Sequence, residues 1–559
     1  MSSFLSPQWL GSALLAGLLL AGCGHQPNQS PAEADLRRLE APPAPPAPIA
    51  KPAPPPAPAL MSALSRKISI PMPAPPVVTP PSTARYDSFD DRAWQRVSEV
   101  PVSTFSASVD TGSYANVRRF LNRGALPPRD AVRVEELVNY FGYDYATPPA
   151  GSPTPFTVDA RLAASPWHAG RGLVRIAIKG QDLAKQSLPP ANLVFLVDVS
   201  GSMAPQDRLP LVRSALHLLT HQLRAQDRVA IVSYASGTRV VLEATPGDSK
   251  DAIHAAIDTL NAGGGTHGEA GIRLAYAQAR AGFITEGINR VLLATDGDLN
   301  IGVTNPSELK ALVEGERQRG VSLTTLGVGD SNYNEALMKK LADVGDGSYH
   351  YLDTLQEAHK VLVNEMTSTL AVIAQDLKLQ VEFNPAVVQE YRLIGYELNN
   401  LTREQFNDDK VDAGDIGAGH TVTALYEVIP VGAQGTVDPL RYGQPADAGA
   451  KATTAHANEL GWLKLRYKPP GQADSRLVQV PIARGDRWPA WPALEQADAD
   501  LRFAVAVAAW GQWLRGSTQI GDYGPAQIAD LAHAARGADR YGHRAEFERL
   551  VALSAGLRR

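Results

Sequence analysis

The segment from Asn192 to Leu352 alternates short apolar runs with stretches of helical periodicity, and this alternation limits the fold more than any other feature. The first run, 193–197, is continuously apolar, as expected of a central parallel strand. Further apolar runs lie at 229–232, 290–294, 323–328 and 348–352, and helical stretches lie at 212–223, at 251–260 and from residue 268 onward. Such alternation requires right-handed crossovers and a sheet covered on both faces. We therefore predict an α/β fold with a doubly wound, mainly parallel sheet.

Three of the predicted loops carry oxygen ligands at the carboxyl ends of strands, which is where ligands bind in sheets of this kind. Asp198, Ser200 and Ser202 follow the first strand, Thr266 lies in the glycine-rich loop 263–268, and Asp296 follows the strand 290–294. Two carboxylates and three hydroxyls are hard donors that suit Mg²⁺. Because hydroxyls are neutral, a cation bound here would stay electrophilic toward an added carboxylate.

This constellation resembles the metal-ion-dependent adhesion site of von Willebrand factor type A domains, whose fold is Rossmann-like. The resemblance implies that Ser200 and Ser202 bind the metal directly, that Thr266 and Asp296 bind it directly or through water, and that Asp198 orients waters and the serine hydroxyls. It also implies an open coordination position for a Glu or Asp of a partner protein. The cation is expected to be Mg²⁺, with Ca²⁺ or Mn²⁺ as alternatives.

Further polar side chains lie next to these ligands in the sequence. Asp298, His267 and Glu269 are candidates for a second layer around the ligands, although His267 is expected mainly to hydrogen-bond within its own loop. The stretch that begins at Asp296 also starts like an EF-hand calcium loop, but its sixth position is Ile301 where that loop requires glycine. We therefore favour the adhesion site over a calcium loop.

Composition excludes several classes of function. Lys and Arg number 53 and Asp and Glu number 58, which gives a net charge of −5. A chain so close to neutral is not expected to bind nucleic acid, which requires a basic surface. The single cysteine excludes an intrachain disulfide and four-cysteine zinc sites. No nucleophile and general base adjoin the oxygen site in the sequence, so we expect no enzymatic activity, and a metal-assisted hydrolase is the weakest hypothesis.

The N-terminus reads as a targeting segment. Residues 10–21 are apolar or small, a length that fits a signal peptide but not a membrane-spanning helix, which needs about 20 residues. The following Gly22-Cys23 completes a resemblance to the lipobox of bacterial lipoproteins, which implies cleavage before Cys23 and a lipid on its thiol. Gly24 at the next position resembles the outer-membrane pattern of enterobacteria. The alternative is an ordinary signal peptide with a fortuitous cysteine.

The regions on either side of the α/β segment resemble those of YfbK-like bacterial lipoproteins with a von Willebrand factor type A domain. The residues that carry this resemblance are 104–145 and the strand-like runs at 378–383 and 463–467. The predicted organisation is a signal peptide at 1–22, a Pro/Ala-rich tether at 23–84, an N-terminal module at 85–188, the A domain at 189–368, a β-rich domain at 369–490 and a helical segment at 491–559. Helices are expected at 113–122 and 133–141.

The C-terminal segment contains one clear amphipathic stripe. Phe503, Val507, Trp510 and Leu514 recur at helical spacing and predict a helix with one apolar face. We expect this face to pack against the β-rich domain. The alternative is a helix lying on a membrane surface, but the lysine-rich polar face typical of such helices is missing.

Taken together, these features predict a lipid-anchored protein of the bacterial cell envelope, on the periplasmic face of the outer membrane. Its A domain would capture a carboxylate of a protein partner through a bound divalent cation. The alternative is a structural envelope scaffold in which the A domain is a folded spacer and the metal is absent or only stabilising.

Overall fold

The computed structural model describes residues 86–149, 151–297, 306–329, 333–438, 440, 456–486 and 488–557. The predicted signal peptide, the tether, Cys23 and Asp298 lie outside these residues. Among the residues described, no helix combines the length and apolar character needed to span a membrane.

In its described residues, the segment before the α/β domain contains four strands and two helices. They are β1 (Gln95–Arg96), β2 (Val102–Ser106), α1 (Gly112–Asn122), α2 (Val134–Asn139), β3 (Phe156–Ala164) and β4 (Gly172–Gly180). The two helices lie where the sequence predicts them, within two residues at each end. Short 3-10 turns lie at Arg129–Ala131 and Lys185–Ser187.

The α/β domain follows the predicted alternation of strands and helices. Its elements are β5 (Ala191–Asp198), α3 (Leu209–Gln222), β6 (Arg228–Tyr234), β7 (Thr238–Pro246), α4 (Lys250–Asp258), α5 (Gly268–Ala281), β8 (Ile288–Thr295), α6 (Pro306–Arg317), β9 (Ser322–Gly327), α7 (Glu335–Val344), β10 (Tyr349–Tyr351), α8 (Leu355–His359) and α9 (Met366–Leu370), with a π-helical turn at Lys360–Asn364.

The strands of this domain form one six-stranded sheet in the order β10-β9-β8-β5-β6-β7. All neighbouring strands are parallel except β6 and β7. Alternate residues of β5 supply two cores, because Phe195 packs on one face of the sheet and Val194 and Leu196 pack on the other. Both faces are therefore covered by helices, which confirms the predicted doubly wound α/β fold.

The edge strand β7 is the one strand of this sheet that the sequence analysis missed. Its residues are half-buried or exposed along its whole length, so it has no continuous apolar run to mark it. It joins the sheet as the antiparallel partner of β6, as is common at the edge of a mainly parallel sheet.

The described residues after the α/β domain form six strands and three helices. They are β11 (Val372–Phe383), β12 (Val388–Ile394), β13 (Gly414–Gly417), β14 (Thr421–Pro430), β15 (Glu459–Lys468), β16 (Arg476–Ala483), α10 (Ala499–Arg515), α11 (Pro525–Ala534) and α12 (His543–Ala555). Short 3-10 turns lie at Gln405–Asn407, Leu494–Gln496 and Thr518–Ile520.

Strands from before and after the α/β domain pair with each other in two sheets. One sheet has the order β1-β12-β14-β4-β3, and the other has the order β13-β11-β15-β16, with β2 also paired to β11. The inward side chains of the two sheets form a common core that includes Phe105, Ile176 and Leu463, as in a β-sandwich. The ranges 85–188 and 369–490, treated as separate modules in the sequence analysis, thus contribute strands to the same sheets, because pairing between distant strands leaves no mark in a local pattern.

The helix α10 lies at the centre of a further core. The predicted stripe of Phe503, Val507, Trp510 and Leu514 is fully buried. It shares this core with residues of β4, β12 and β14, namely Leu173, Ile394 and Leu425, and with residues of α1, α2, α11 and α12. The stripe therefore packs on the β-structure as expected, and it also packs on the two helices that precede the α/β domain.

Candidate functional site

The carboxyl ends of β5 and β8 bring the two predicted carboxylates to one edge of the sheet. These strands are parallel neighbours, and their register pairs Val197 with Ala294. Asp198 is thus level with Thr295, and Asp296 follows one residue beyond. Both aspartates are buried. The adjacent strand ends explain why two residues 98 positions apart in the chain reach the same site.

The Asp198 carboxylate is held from several sides. Its Oδ1 accepts the backbone N–H of Ser200 at 2.9 Å. Its Oδ2 accepts the hydroxyls of Thr295 at 2.9 Å and of Tyr234 at 3.1 Å. Burial raises the pKa of Asp198, and the nearby Asp296 charge adds to this, whereas the hydrogen bonds from Ser200 and Thr295 lower it. A group held in this way is suited to orienting its neighbours.

Ser200 and Ser202 place their hydroxyl oxygens side by side. The two oxygens lie 3.0 Å apart. Ser200 precedes a 3-10 turn, Gly201–Met203, and Ser202 is the second residue of that turn. Neighbouring ligands of an octahedral Mg²⁺ lie about 3.0 Å apart, because each is about 2.1 Å from the metal and the angle between them is 90°. The spacing of these hydroxyls and the chemistry of the donor set therefore fit such a cation.

The loop that carries Thr266 is fixed against the first loop by backbone hydrogen bonds. The N–H of Gly201 donates to the carbonyl of Gly264 at 2.9 Å, and the N–H of Gly263 donates to Val199 at 2.8 Å. Gly264 has φ of +83°, and a Cβ there would lie 2.6 Å from the hydroxyl oxygen of Ser236. Glycine is thus required at the point where this loop turns, and the half-buried Thr266 lies two residues further on.

The other candidates around the site have local partners. His267 is exposed, and its Nδ1 lies 3.2 Å from the carbonyl oxygen of Ala235. Glu269 forms an ion pair of 2.7 Å with Arg273, one turn along α5. His267 and Glu269 thus each have a partner other than the hydroxyls of Ser200 and Ser202.

Arg208, like Tyr234 and Thr295, is a residue of the site that the sequence did not predict. It lies immediately before α3, it is buried, and its Nη1 donates to Asp296 Oδ2 at 2.6 Å and to the carbonyl of Ser202 at 2.7 Å. Gly329, with φ of +71°, allows this approach, since a Cβ there would lie 2.4 Å from Arg208 Nε. An arginine beside a helix start has no distinctive pattern in the sequence, so no local signal marks it.

The site thus combines donors that fit a divalent cation with a positively charged side chain, Arg208, which is paired with Asp296. Within the described part of the chain, no group of three or more His, Cys, Asp or Glu side chains is arranged to hold a metal. This includes His217, His221 and His254, whose rings stack edge to face at 4.7 and 5.0 Å. Any metal at the candidate site would therefore depend on its hydroxyl ligands.

Comparison with known proteins agrees with this architecture. The family model for the von Willebrand factor type A domain matches residues 192–364, and a model described as von Willebrand factor matches 80–175. A third, described as the C-terminal part of the uncharacterized protein YfbK, matches 368–557. The chain is 50% identical over 482 residues to the uncharacterized protein YfbK of Escherichia coli (strain K12), a match covering 85% of this chain and 82% of that protein. The chain belongs to the YfbK family.

The predicted family resemblance is therefore confirmed, while its lipoprotein part remains a prediction. A second relative, the uncharacterized protein sll0103 of Synechocystis, is 25% identical over 325 residues, which is 57% of this chain and 71% of that protein. A solved von Willebrand factor type A structure from Catenulispora acidiphila is 16% identical to this YfbK-family chain, with a TM-score of 0.39. The match covers 73% of this chain and 91% of the chain in that structure. Domains of this type commonly mediate protein–protein interactions.

Proposed function

We propose that this protein is a lipid-anchored component of the bacterial cell envelope that captures a carboxylate of a protein partner through a divalent cation. The observation that carries the proposal is the pair of hydroxyls of Ser200 and Ser202, 3.0 Å apart beside the fixed Asp198 carboxylate. This pair offers one edge of an octahedral site, and the presence of an A domain supports a protein partner.

The residues have separate roles in this proposal. Ser200 and Ser202 would hold the cation, Thr266 and Asp296 would bind it directly or through water, and Asp198 would hold the Ser200 backbone in place. A bound Mg²⁺ supplies a positive centre that attracts an incoming Glu or Asp of the partner. We propose binding rather than catalysis, because Asp198 accepts three hydrogen bonds and Asp296 is paired with Arg208, so neither carboxylate is placed to act as a general base.

The metal-binding step is tested with the Ser200→Ala/Ser202→Ala double variant. Titration calorimetry of the full-length protein with Mg²⁺ or Mn²⁺ is expected to show binding that the double variant loses. Ser214→Ala is the matched control, since its exposed hydroxyl donates to the carbonyl of Pro210 within α3. Equal metal affinity in all three proteins would refute the proposed ligands.

The capture step and the anchor need their own measurements. Affinity capture from envelope extracts in Mg²⁺ and in EDTA should recover a partner only with metal, and the double variant should recover none. Cys23→Ser is expected to release the protein from the membrane fraction. Capture that is unchanged by EDTA would refute the metal-dependent mechanism, and a membrane-bound Cys23→Ser protein would refute the anchor.

The second candidate function is a structural scaffold, and the Arg208–Asp296 ion pair of 2.6 Å favours it. In this alternative, the arginine satisfies the buried carboxylate and the domain stays folded without metal. Thermal melts with and without Mg²⁺, combined with crosslinking in cells, separate the two functions. Crosslinks that do not change when Asp198 and Asp296 are replaced by Asn would favour the scaffold.

A further inference from the structure

Lys339 of α7 and Asp110, in the loop between β2 and α1, form a largely buried ion pair where the α/β domain meets the segment before it. The Nζ of Lys339 is in direct contact with the Oδ2 of Asp110, and the two side chains are 13% and 10% exposed. Gly112 permits this approach, because a Cβ there would lie 2.2 Å from the ring of Tyr349 in β10. The loop that carries Asp110 therefore lies directly on the edge of the α/β sheet.

A second carboxylate adjoins this pair. Glu136 of α2 is 1% exposed, and its Oε1 lies 3.6 Å from Lys339 Nζ. The Glu136 carboxylate accepts the Nε–H of Arg133 at 2.5 Å and the backbone N–H of Ser113 at 2.9 Å, which fix its position. Of the lysines whose ion pairs the structure describes, Lys339 alone has two carboxylates within 4.0 Å of its nitrogen. One carboxylate thus contacts the amine, while the other lies close enough to take part in moving its protons.

The two oxygens of Asp110 have different partners. Oδ1 accepts the backbone N–H of Tyr349 at 3.1 Å, whereas Oδ2 faces Lys339. A backbone N–H that donates to a carboxyl oxygen stabilises the negative charge that develops there when a nucleophile attacks the carbon. Oδ1 is therefore placed to become the carbonyl oxygen of an amide, and Oδ2 is placed to leave.

The charges of these groups define the starting state. Burial would lower the pKa of Lys339, but the charges of Asp110, Asp343 and Glu136 outweigh it and raise the pKa. Burial likewise opposes the ionised form of Glu136, yet Arg133 and Lys339 lower its pKa to about 2. At pH 7 the amine is therefore protonated and Glu136 is ionised. Keeping such charges buried is costly, and a neutral amide in their place does not carry this cost.

We propose that Lys339 and Asp110 become joined by an isopeptide bond, with Glu136 as the proton carrier. Glu136 accepts a proton from the Lys339 ammonium, and the lone pair of the amine then attacks Cγ of Asp110. The C–N bond forms, and the Cγ–Oδ2 bond breaks with its electron pair on the oxygen. Two of the three ammonium protons leave with Oδ2 as water, one of them carried by Glu136, and the third stays on the amide nitrogen. The positive and the negative charge cancel, so the reaction needs no oxidant and no activated co-reactant.

The surroundings allow this reaction to occur once in each chain. Asp110 and Lys339 both line a cavity of about 250 Å³ between the α/β domain and the β-sandwich, and the exposed Leu398 lines it too. The released water therefore has a path to the solvent. Proton transfer from a lysine to so acidic a carboxylate is unfavourable and slows the reaction, but a single turnover after folding is enough.

The bond closes a loop of the chain from residue 110 to residue 339. This loop contains the whole oxygen site, from Asp198 to Asp296. A covalent link across so long a loop restricts the unfolded chain and so favours the folded protein. The link would therefore keep the α/β domain attached to the segment before it even when the ion pairs between them open.

The test is mass spectrometry of tryptic peptides from the purified full-length protein. The peptides that contain Asp110 and Lys339 should be recovered as one joined species, about 18 Da lighter than the two together, because one water is lost. The exposed pair of Lys464 and Glu382, 3.3 Å apart, is the internal control, and its two peptides should be recovered separately. Recovery of the Asp110 and Lys339 peptides unjoined would overturn the proposal and leave an ordinary ion pair.

Two variants test the chemistry, with the joined species followed over time after cell-free synthesis. Lys339→Arg keeps the positive charge but lacks a nucleophilic amine, so no joined species should form. Glu136→Gln keeps the shape of the side chain but is a much poorer proton acceptor, so the joined species should form at least about tenfold more slowly. Lys464→Arg is the matched control and should join as fast as the parent protein.

Circular dichroism shows whether each variant is folded. A folded Glu136→Gln protein that joins as fast as the parent would refute the role of Glu136, and a joined species in Lys339→Arg would refute the assigned bond. The measurement requires neither Mg²⁺ nor a partner protein, so its outcome is separate from that of the metal-dependent function.

Discussion

At the scale of single residues, Arg208 would oppose a cation bound in the proposed metal site. Its guanidinium bonds to the carboxylate of Asp296 and to the backbone of Ser202. A positive charge in this position repels a divalent cation placed among the same oxygens. In the proposed metal site, the affinity for a divalent cation would therefore depend on two opposing features, the serine hydroxyls and the charge of Arg208.

We predict that Arg208→Gln binds Mg²⁺ at least about tenfold more tightly than the parent protein, since 1.4 kcal/mol of relieved repulsion corresponds to a factor of ten. Glutamine keeps a donor for the carbonyl of Ser202 but removes the charge. Titration calorimetry measures the change. Arg213→Gln, on the exposed side of α3, is the matched control with unchanged affinity. Weaker binding by Arg208→Gln would instead show that the guanidinium holds the site together.

A second residue-scale prediction concerns the buried His350. Burial, with a smaller contribution from Lys360, lowers its pKa to about 4 despite the opposing charges of Glu365 and Asp110. The unfolded chain, with a histidine pKa of about 6.5, therefore binds a proton at higher pH than the folded chain. The stability that comes with keeping His350 neutral is therefore fully present above about pH 6.5. It is lost as the pH falls toward 4, because protons then bind to the unfolded chain and favour unfolding.

His350→Gln should therefore lose less stability than the parent protein between pH 7 and pH 5, in urea unfolding followed by circular dichroism. Because the parent protein and the variant share all other titrating groups, the difference between their pH slopes reports the effect of His350. His456→Gln, whose side chain is 62% exposed, should keep the pH slope of the parent. Equal slopes in all three proteins would mean that His350 does not set the acid sensitivity.

At the scale of elements, the contact between β13 and α9 depends on one missing side chain. Gly417 lies so close to Ser368 that an added Cβ would overlap the backbone carbonyl. Gly417→Ala is predicted to destabilise the protein by at least about 1–3 kcal/mol, because backbone atoms cannot move aside as a side chain can. Gly315→Ala, in α6 with open space around it, should stabilise by about 0.5–1 kcal/mol through helix propensity. Chemical denaturation measures both, and equal changes would contradict the packing argument.

The elements also show what the sequence could predict. The strands at 193–197 and 290–294 were predictable, because a strand buried on both faces is continuously apolar. The half-exposed β7 was not, because it lacks such a run. Asp198, Ser200 and Ser202 could be placed together since they follow one strand, but the approach of Arg208 depends on how α3 sits against the end of β9. The shared sheets of the sandwich depend on pairs such as Phe105 with Leu379, which lie too far apart in the chain to leave a local signal.

At the scale of the whole molecule, one buried arginine joins three regions of the chain. Arg118 of α1 forms ion pairs with Asp353 at 2.5 Å and Glu357 at 2.7 Å, both in the α/β domain, and with Glu546 of α12 at 2.9 Å. Its guanidinium also donates to the hydroxyl of Tyr140 at 3.0 Å. Arg118, which is 1% exposed, thus contacts the α/β domain and the segments before and after it at once.

We predict that Arg118→Met lowers the free energy of unfolding by about 3–5 kcal/mol, because removing one partner leaves buried carboxylates without compensation. Scanning calorimetry should show the α/β domain and the α1–α12 core destabilised together, since both lose the same ion partner. Arg213→Met, which breaks the exposed pair with Asp258, should cost less than about 1 kcal/mol. A loss confined to one of two separate transitions would show that the three regions unfold independently, and that Arg118 fastens only one of them.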